Sequence, residues 1–300
     1  MTERLRVGTR GSRLARVQSD LVIRAIARAS PHARLEAVPV VTSGDRDRSL
    51  GSSPDFTDAI DRALLRGSVD LAVHSAKDLP LVLDRRLELV ASPRRADPRD
   101  CLVASRPGAR LPHGARVGSS SLRRRAQLLR WRGDLTVVEV RGNVDTRIDL
   151  VRSGSVDAVV LALAGIARLG RKSVVSRILP AATFVPAPAQ GALAVVARAG
   201  DERVRSLVAP IDHAATRACV TAERSFAAAL GGDCEVPLGA LAAFRQGGVT
   251  LVGEVLTRDG RMSLRRRRRG PADRADDLGR RLGEEMLEAG ARDLLSSPHP

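Results

Sequence analysis

Two hydrophobic periods alternate along the first 200 residues, and this alternation constrains the fold more than any other feature. Short apolar runs typical of buried strands, such as Leu5–Thr9 and Val69–His74, are followed by helical spacing, as at Leu14 and Leu21. Strands that alternate with helices are typical of parallel sheets covered by helices. The alternation restarts near residue 115, so the sequence predicts two α/β lobes.

Pro-rich segments and a change of pattern predict the domain boundaries. SPRRADPRD (92–100) and LPAATFVPAPAQG (179–191) are candidate crossings between the lobes. After about residue 213 the pattern becomes a long helix, three strands and a final amphipathic helix, which indicates a small α+β domain. We predict domain 1 at 1–93 plus 192–210, domain 2 at 98–186 and domain 3 at 213–300.

Composition excludes several classes of protein. An apolar content of 43% with 28% charged residues is typical of a globular chain. The sequence contains no run of 18 or more apolar residues, so it predicts no membrane span. The N-terminal MTERLRVGTRGS has no apolar signal-peptide core, which predicts a cytoplasmic location. The three cysteines are widely spaced and no His/Cys cluster has zinc spacing, so we expect free thiols and no metal.

The net charge of +16 is compatible with nucleic acid, a membrane surface or small acidic ligands. Only 2% of residues are aromatic, which disfavours stacking on bases, so we expect no nucleic-acid partner. Because the chain lacks a long apolar run, we expect no membrane partner either. The run Arg265–Arg269 is either a polyanion patch or an edge strand whose charges are solvated. We favour the edge strand.

Arginines and hydroxyls concentrate in loops that follow predicted strands, where ligands of α/β sheets bind. GTRGSR contains Arg10 and Ser12, RGNVDTRI contains Arg141 and Arg147, and GSSSLRRR (118–125) can cap a helix that attracts anions. In this last loop a pair of arginines occupies the first helical turn, where cations are unfavourable unless an anion binds. Guanidinium forks match carboxylates and phosphates, and the chain lacks the common nucleotide motifs, so we predict a small polycarboxylate ligand.

The stretch AVHSAKDLP places Lys77 and Asp78 after a buried strand. An ionised Asp among cations is suited to stabilising a cationic intermediate or to exchanging a proton with an amine. The alternative is a structural Lys–Asp pair on a loop. We interpret His74 as a packed, hydrogen-bonded residue at the strand end, not as a base.

Seven motifs in order resemble those of the porphobilinogen deaminase (hydroxymethylbilane synthase) family, from about residue 4 to 290. They are TRGSRLA, AVHSAKDLP, GSSSLRRRAQL, RGNVDTRI, DAVVLALAGIARLG, PAQGALAV and GGDCEVPLGA. The resemblance implies two lobes like those of periplasmic binding proteins, a third domain, and a monomer. It also implies a transferase that condenses four porphobilinogen molecules head to tail, with loss of ammonia, onto a covalent dipyrromethane cofactor and then releases hydroxymethylbilane.

The resemblance also implies roles for individual residues. Cys234 would attach the cofactor through a thioether, and Asp78 would be the catalytic aspartate. The other residues match positions that hold acetate and propionate groups: Lys77, Ser121, Arg123, Arg124, Arg141 and Arg168 for the cofactor, and Arg10, Ser12, Arg147 and Gln190 for the substrate.

One departure from the family keeps a second reading open. The family carries a glycine- and lysine-rich segment where this chain has the shorter SLGSSPDF (49–56), in which Phe56 matches but the lysines are absent. The missing lysines favour a non-catalytic relative that binds a small polycarboxylate between two lobes, whereas Asp78 and Cys234 favour the transferase. A nucleic-acid binder is the third and least favoured reading.

Overall fold

The computed structural model describes residues 4–41, 57–106, 108–231 and 236–296. The chain divides into two compact units, Met1–Ala96 with Ala192–Arg217 and Asp97–Gly191 with Ala218–Pro300. The division into three domains stays a prediction. The segment 49–56 and Cys234 lie outside the described residues, so the predictions that concern them stay predictions as well.

Within the described ranges the chain forms thirteen strands. They are β1 (Arg4–Arg10), β2 (Arg34–Val40), β3 (Leu71–Ser75), β4 (Leu87–Ala91), β5 (Asp100–Ala104), β6 (Arg116–Gly118), β7 (Thr136–Val138), β8 (Ala158–Ala162), β9 (Arg177–Ile178), β10 (Leu193–Arg198), β11 (Leu238–Arg245), β12 (Gly248–Leu256) and β13 (Ser263–Pro271).

The same ranges contain nine α-helices. They are α1 (Arg13–Ala29), α2 (Asp58–Leu65), α3 (Leu122–Trp131), α4 (Val144–Arg152), α5 (Leu163–Arg168), α6 (Glu202–Val208), α7 (Ala214–Ala229), α8 (Ala275–Glu288) and α9 (Ala291–Ser296). Short 3-10 turns cover Ala76–Asp78, Lys172–Val174, Ala209–Ile211 and Ala272–Arg274. None of these helices is long and apolar enough to cross a membrane.

The first unit is built on a five-stranded sheet in the order β2-β1-β3-β10-β4. β1 runs parallel to β2 and β3, whereas β10 runs antiparallel to β3 and β4. Leu5, Leu71 and Val195 of this sheet form a buried core with Val22 and Ile26 of α1. These helix residues lie four apart, which is the spacing that puts apolar side chains on one helical face.

The second unit contains another five-stranded sheet, in the order β7-β6-β8-β5-β9. β6 is parallel to β7 and β8, and β5 is antiparallel to β8 and β9. Successive residues of β8 enter two different cores: Val160 packs with Leu128 and Phe184, and Val159 packs with Ile148 and Ile166. The strand is therefore buried on both faces, as its continuous apolar sequence predicts.

Both large sheets are mixed, so the prediction of parallel sheets is wrong in one respect. In each sheet one strand, β10 or β5, runs against its neighbours. β10 returns to its sheet after the chain has formed the second five-stranded sheet, and β5 is the first strand of that second sheet. A short helical crossover forces a parallel return, but a long connection permits either direction. Hydrophobic periodicity cannot distinguish the two. The predicted α/β lobes with a small carboxyl-terminal α+β part are confirmed.

The carboxyl-terminal sheet is antiparallel, in the order β11-β12-β13. The arginine run lies on β13 at the edge of this sheet, which confirms the edge-strand interpretation. Arg265 forms an ion pair with Glu254 of β12 at 2.6 Å, and Arg268 pairs with Glu285 of α8. The exposed cations of this strand discourage pairing with a further strand.

Candidate functional site

The first candidate site, which we call the Asp78 site, lies in the first unit where β1 and β3 end. Because these strands are parallel neighbours, their carboxyl ends meet at one edge of the sheet. Arg10 ends β1, Ser12 caps α1 by accepting from Ala15 N at 3.3 Å, and Ser75 ends β3. Asp78 is exposed at the end of the following 3-10 turn.

A small cavity collects these groups. Its lining includes Arg10, Ser12, Ser75 and Asp78, so the structure brings together the residues predicted from the two loops. The half-buried Lys77 is not part of this lining. A carboxylate, a guanidinium and two hydroxyls around one cavity can bind the ammonium and the carboxylates of a small zwitterionic acid.

Gln18 is a lining residue that the sequence analysis missed. Its side chain is buried on α1, and its Nε2 donates to Ser75 Oγ at 2.8 Å. This bond ties the helix to the end of β3. The only sequence signal is a polar residue next to the apolar stripe of α1, and such a residue is ordinarily exposed.

His74 is buried at the end of β3, which confirms packing, but its Nε2 has no hydrogen-bond partner among the described residues. Burial, together with the neighbouring Arg10 charge, lowers the pKa of His74 to about 4. The imidazole is therefore neutral at pH 7 and holds a proton only weakly. The low pKa agrees with the prediction that His74 is not a base.

The pKa of His74 predicts a loss of stability in mild acid. An unfolded histidine binds a proton below about pH 6.5, whereas the folded one binds it only near pH 4. The stabilisation is complete above pH 6.5 and falls between pH 6.5 and 4. By pH 4.5 this linkage removes roughly 2 to 3 kcal/mol from the free energy of unfolding.

Urea unfolding at pH 7 and pH 4.5 measures this loss, with His74→Gln compared against a change at the exposed His113. The loss between the two pH values should shrink by roughly 2 kcal/mol in His74→Gln. It should be unaltered in His113→Gln. An equal loss in wild type and His74→Gln would contradict the buried neutral state.

The second candidate site, which we call the arginine site, lies in the second unit around the N-terminus of α3. Ser121 caps the helix by accepting from Arg124 N at 3.4 Å, and Ser119 Oγ accepts from Ser121 N at 3.2 Å. Gly118 ends β6 against Val140, where an added Cβ would lie 2.8 Å from a valine methyl. The GSSS loop is therefore fixed tightly against the sheet.

The arginine pair of α3 binds an anion, as predicted, but this anion belongs to the protein. Asp100 at the start of β5 accepts from Arg123 at 2.9 Å and from Arg124 at 2.7 Å, and all three side chains are buried. Burial acts to raise the pKa of Asp100, but the two guanidinium groups outweigh it and hold this pKa well below its usual range. Sequence reasoning missed Asp100 because its partners lie 23 and 24 residues away.

Arg123, which was predicted to contact the cofactor, lies among internal partners. Its Nη1 donates to Asp100, to Gln127 Oε1 and to Val185 O, each at 2.9 Å, and the residue is 3% exposed. Nη1 thus serves internal acceptors, whereas the buried Nε has no hydrogen-bond partner among the described residues. The internal bonds support a role for Arg123 in positioning its neighbours, and its predicted contact with the cofactor stays a prediction.

Gln190, which was predicted to contact substrate, also lies among internal partners, and that prediction stays untested. Its side chain is fully buried; Nε2 donates to Pro98 O at 2.7 Å and to Asp100 at 2.9 Å, while Oε1 accepts from Arg124 at 3.3 Å. The preceding Ala189 has φ 59°, a left-handed conformation that turns Gln190 inward. Gln190 thus orients Asp100 and Arg124.

Arg147 and Arg168 have no ion pair with any carboxylate in the described part of the chain. Arg147 donates to Gly142 O at 3.0 Å and Arg168 donates to Gly191 O at 2.8 Å. Burial, with Arg124 and Arg141 nearby, lowers the pKa of Arg147 to about 10, and burial lowers that of Arg168 to about 10. Half-buried cations of this kind favour an anionic ligand.

Arg141 and the cysteines complete the predicted set. Arg141 Nε donates to Glu139 at 2.9 Å. Cys101 and Cys219 are buried, and burial raises the pKa of Cys101 to about 12, so that thiol is unreactive. Within the described ranges no group of three acidic, His or Cys side chains is arranged to hold a metal ion.

The fold and the two sites define an α/β protein in which arginines and hydroxyls gather where strands end, an arrangement suited to a small acid. The family model for the cofactor-binding domain of porphobilinogen deaminase, which describes a dipyrromethane cofactor, matches residues 5–206, and the model for its C-terminal domain matches residues 217–288. The chain therefore belongs to the porphobilinogen deaminase family.

Individual relatives are similar over nearly the whole chain. A porphobilinogen deaminase of Roseiflexus castenholzii is 48% identical, covering 99% of this chain and 100% of that protein. One from Xanthomonas oryzae pv. oryzae is 45% identical, covering 98% and 99%.

Among solved structures, a putative methionine-binding lipoprotein of Bacillus subtilis has a TM-score of 0.45 at 12% identity, covering 70% of this chain and 91% of that one. The BvgS periplasmic VFT2 domain of Bordetella pertussis has a TM-score of 0.43 at 15% identity, covering 69% and 86%.

Proposed function

We propose that the chain condenses four porphobilinogen molecules head to tail, with loss of ammonia, onto a covalent dipyrromethane cofactor and then releases hydroxymethylbilane. The observation that carries the proposal is the pair Arg147 and Arg168, half-buried cations without carboxylate partners in the described part of the second unit. Each pyrrole ring of this chemistry carries an acetate and a propionate. Such carboxylates fit these two guanidinium groups.

The described residues fit a dipyrromethane in the second unit. Arg141 and Arg168 would hold its carboxylates, and Arg147 would hold those of the incoming substrate. Arg124 is held in orientation by Asp100. When bound through Cys234, the cofactor supplies the pyrrole carbon to which substrate is added. Cys234 itself is assigned by its match to the family motif alone.

The Asp78 site would act on the substrate. The exposed Asp78 carboxylate would stabilise the positive charge that develops on the pyrrole nitrogen of porphobilinogen as ammonia leaves. Arg10 and Ser12, on the lining of the same cavity, would hold the carboxylates of this substrate. Lys77 would add a compact cation at the same turn.

The direct test incubates the purified protein with porphobilinogen and follows both ammonia release and product mass. We expect one ammonia for each porphobilinogen consumed and a linear product of four pyrrole units. Protein that carries the cofactor but releases no ammonia would contradict the proposal and favour the non-catalytic relative.

The proposal includes a cytoplasmic monomer that needs no nucleic acid. Each of the two sites is built from residues of one unit and is suited to a small acid, and the aromatic content of 2% is poor for stacking on bases. Light scattering should give a mass near 32.0 kDa. A mass near twice that value would contradict the monomer.

Replacing Arg147 should weaken function while it stabilises the cofactor-free protein. Leucine removes a half-buried cation that lies near Arg124 and Arg141. In a Cys234→Ala background we expect Arg147→Leu to raise the melting temperature by about 2 °C. In the loaded enzyme the KM for porphobilinogen should rise about 10-fold or more, because a hydrogen bond to a charged group is lost.

The matched control is Arg152→Leu, at an exposed position of α4 whose guanidinium pairs with Asp149 at 3.1 Å. This variant should change neither the melting temperature nor the KM for porphobilinogen appreciably. An unchanged KM in Arg147→Leu would contradict its role in binding carboxylates. A lowered melting temperature would contradict the electrostatic penalty of its burial.

A further inference from the structure

A chain of buried polar side chains joins the arginine site to the carboxyl-terminal sheet. Arg123 Nη1 donates to Gln127 Oε1 at 2.9 Å, and Gln127 Nε2 donates to Glu254 Oε2 on β12 at 2.9 Å. Glu254 Oε1 in turn accepts from Arg265 of β13 at 2.6 Å. Gln127 is 2% exposed and Glu254 is 1% exposed, so water cannot replace these partners.

Gln127 is the link that determines the geometry of this network. Its amide oxygen binds the arginine site, and its amide nitrogen binds both Glu254 and Val185 O, the latter at 3.0 Å. An amide rotated or displaced would leave a buried carboxylate or guanidinium without a partner, which is strongly unfavourable in a dry interior. Gln127 and Glu254 therefore have one favourable relative position.

A backbone contact fixes the same two elements independently. Gly260, in the turn between β12 and β13, has φ 73°, and a Cβ added to it would lie 2.1 Å from Ala126 O of α3. Only glycine permits the turn to lie this close to the helix. The turn and the buried network thus position the carboxyl-terminal sheet against α3 at two separate points.

We propose that Gln127 is a positioning residue that holds the carboxyl-terminal sheet in a fixed position relative to the arginine site. This inference rests on the proposed function. Cys234 lies in the sequence between α7 and β11. A cofactor attached there would reach Arg141 and Arg168 only if the carboxyl-terminal sheet and α3 keep a fixed separation. Gln127 would act through Arg123 and Glu254, without contact with substrate or cofactor.

The test compares melting temperatures of cofactor-loaded and cofactor-free protein, the latter made with Cys234→Ala. A merely structural residue shifts both temperatures equally, whereas a positioning residue changes their difference. The reason is that the cofactor stabilises the fold only when the carboxyl-terminal sheet is correctly placed against α3. We expect Gln127→Leu to reduce this difference by about 3 °C or more, and the intact mass of each sample to report the loaded fraction.

Two further variants keep the test decisive if Gln127→Leu does not fold. Gln127→Glu places a second carboxylate against Glu254 and should also reduce the difference. Adding Glu254→Gln rebuilds a donor–acceptor pair and should recover most of the loss. Ser176→Ala removes an unconnected hydrogen bond to Ala104 N, and it should lower both melting temperatures without changing their difference.

The outcomes separate this inference from the proposed function. Wild-type protein without an adduct on Cys234 would contradict the proposed function, and the positioning role with it. Loaded wild type together with an unchanged temperature difference in the Gln127 variants would contradict the positioning role alone. Failure of Glu254→Gln to rescue Gln127→Glu would also contradict it, because the link would then not pass through Glu254.

Discussion

Replacing Cys234 with alanine is expected to remove the cofactor and to abolish ammonia release from porphobilinogen. The thioether would be the sole covalent attachment, and without it each round of addition would lose its starting point. Activity should fall below detection, and the melting temperature should equal that of wild-type protein prepared without the cofactor. The assay follows ammonia release and the intact mass of the same sample.

The matched controls are Cys101→Ala and Cys219→Ala, at buried positions inside β5 and α7. Burial raises the pKa of Cys101 to about 12, so its thiol stays protonated and cannot react at pH 7. Both variants should retain the adduct and lose only stability. Substantial turnover by Cys234→Ala would contradict the assignment of the attachment residue.

Replacing Asp78 with asparagine should reduce kcat by about 100-fold or more, because the carboxylate would stabilise positive charge on the substrate as ammonia leaves. Asparagine preserves the shape of the side chain and removes its charge. Since Asp78 is exposed, the melting temperature should change little. KM should also change little, because the residues expected to hold the substrate carboxylates are Arg10, Ser12 and Arg147.

Asp84→Asn is the control for that experiment. Asp84 follows six residues later on the same surface segment, and Arg86 lowers its pKa to about 2 by donating to it. Its neutralisation should leave kcat within about twofold of wild type. A loss of activity confined to KM in Asp78→Asn would show that Asp78 binds substrate without acting in the chemical step.

Features encoded locally could be predicted from the sequence. Ser12 and Ser121 each cap a helix, as their positions before an apolar period indicate. Arg10 and Asp78 lie on one cavity because neighbouring parallel strands end at the same edge. The edge position of β13, which runs from Ser263 to Pro271, agrees with its run of arginines.

Features that depend on distant parts of the chain could not be predicted. Asp100 forms ion pairs with two arginines more than twenty residues away, and Gln127 binds Glu254 across 127 residues of sequence. A single sequence shows these residues only as isolated polar positions. The antiparallel direction of β10 could not be predicted either, because strand direction depends on the path of a long connection and not on hydrophobic period.

The comparison of Gln190 with Arg147 shows what the structure adds to motif matching. Both match family positions expected to contact substrate. Gln190 is fully buried among internal partners. Arg147 donates to Gly142 O beside the N-terminus of α4 and has no carboxylate partner in the described ranges. Motif identity predicts that a residue matters. Burial and partners decide whether it touches the ligand or orients a neighbour.

The central claim is that this chain builds and holds a dipyrromethane on Cys234. The most direct test is the intact mass of the purified protein, with peptide mapping around Cys234 before and after incubation with porphobilinogen. We predict a mass increase equal to one dipyrromethane, located on the peptide that contains Cys234. An unmodified Cys234 after incubation with porphobilinogen or with preformed hydroxymethylbilane would contradict it.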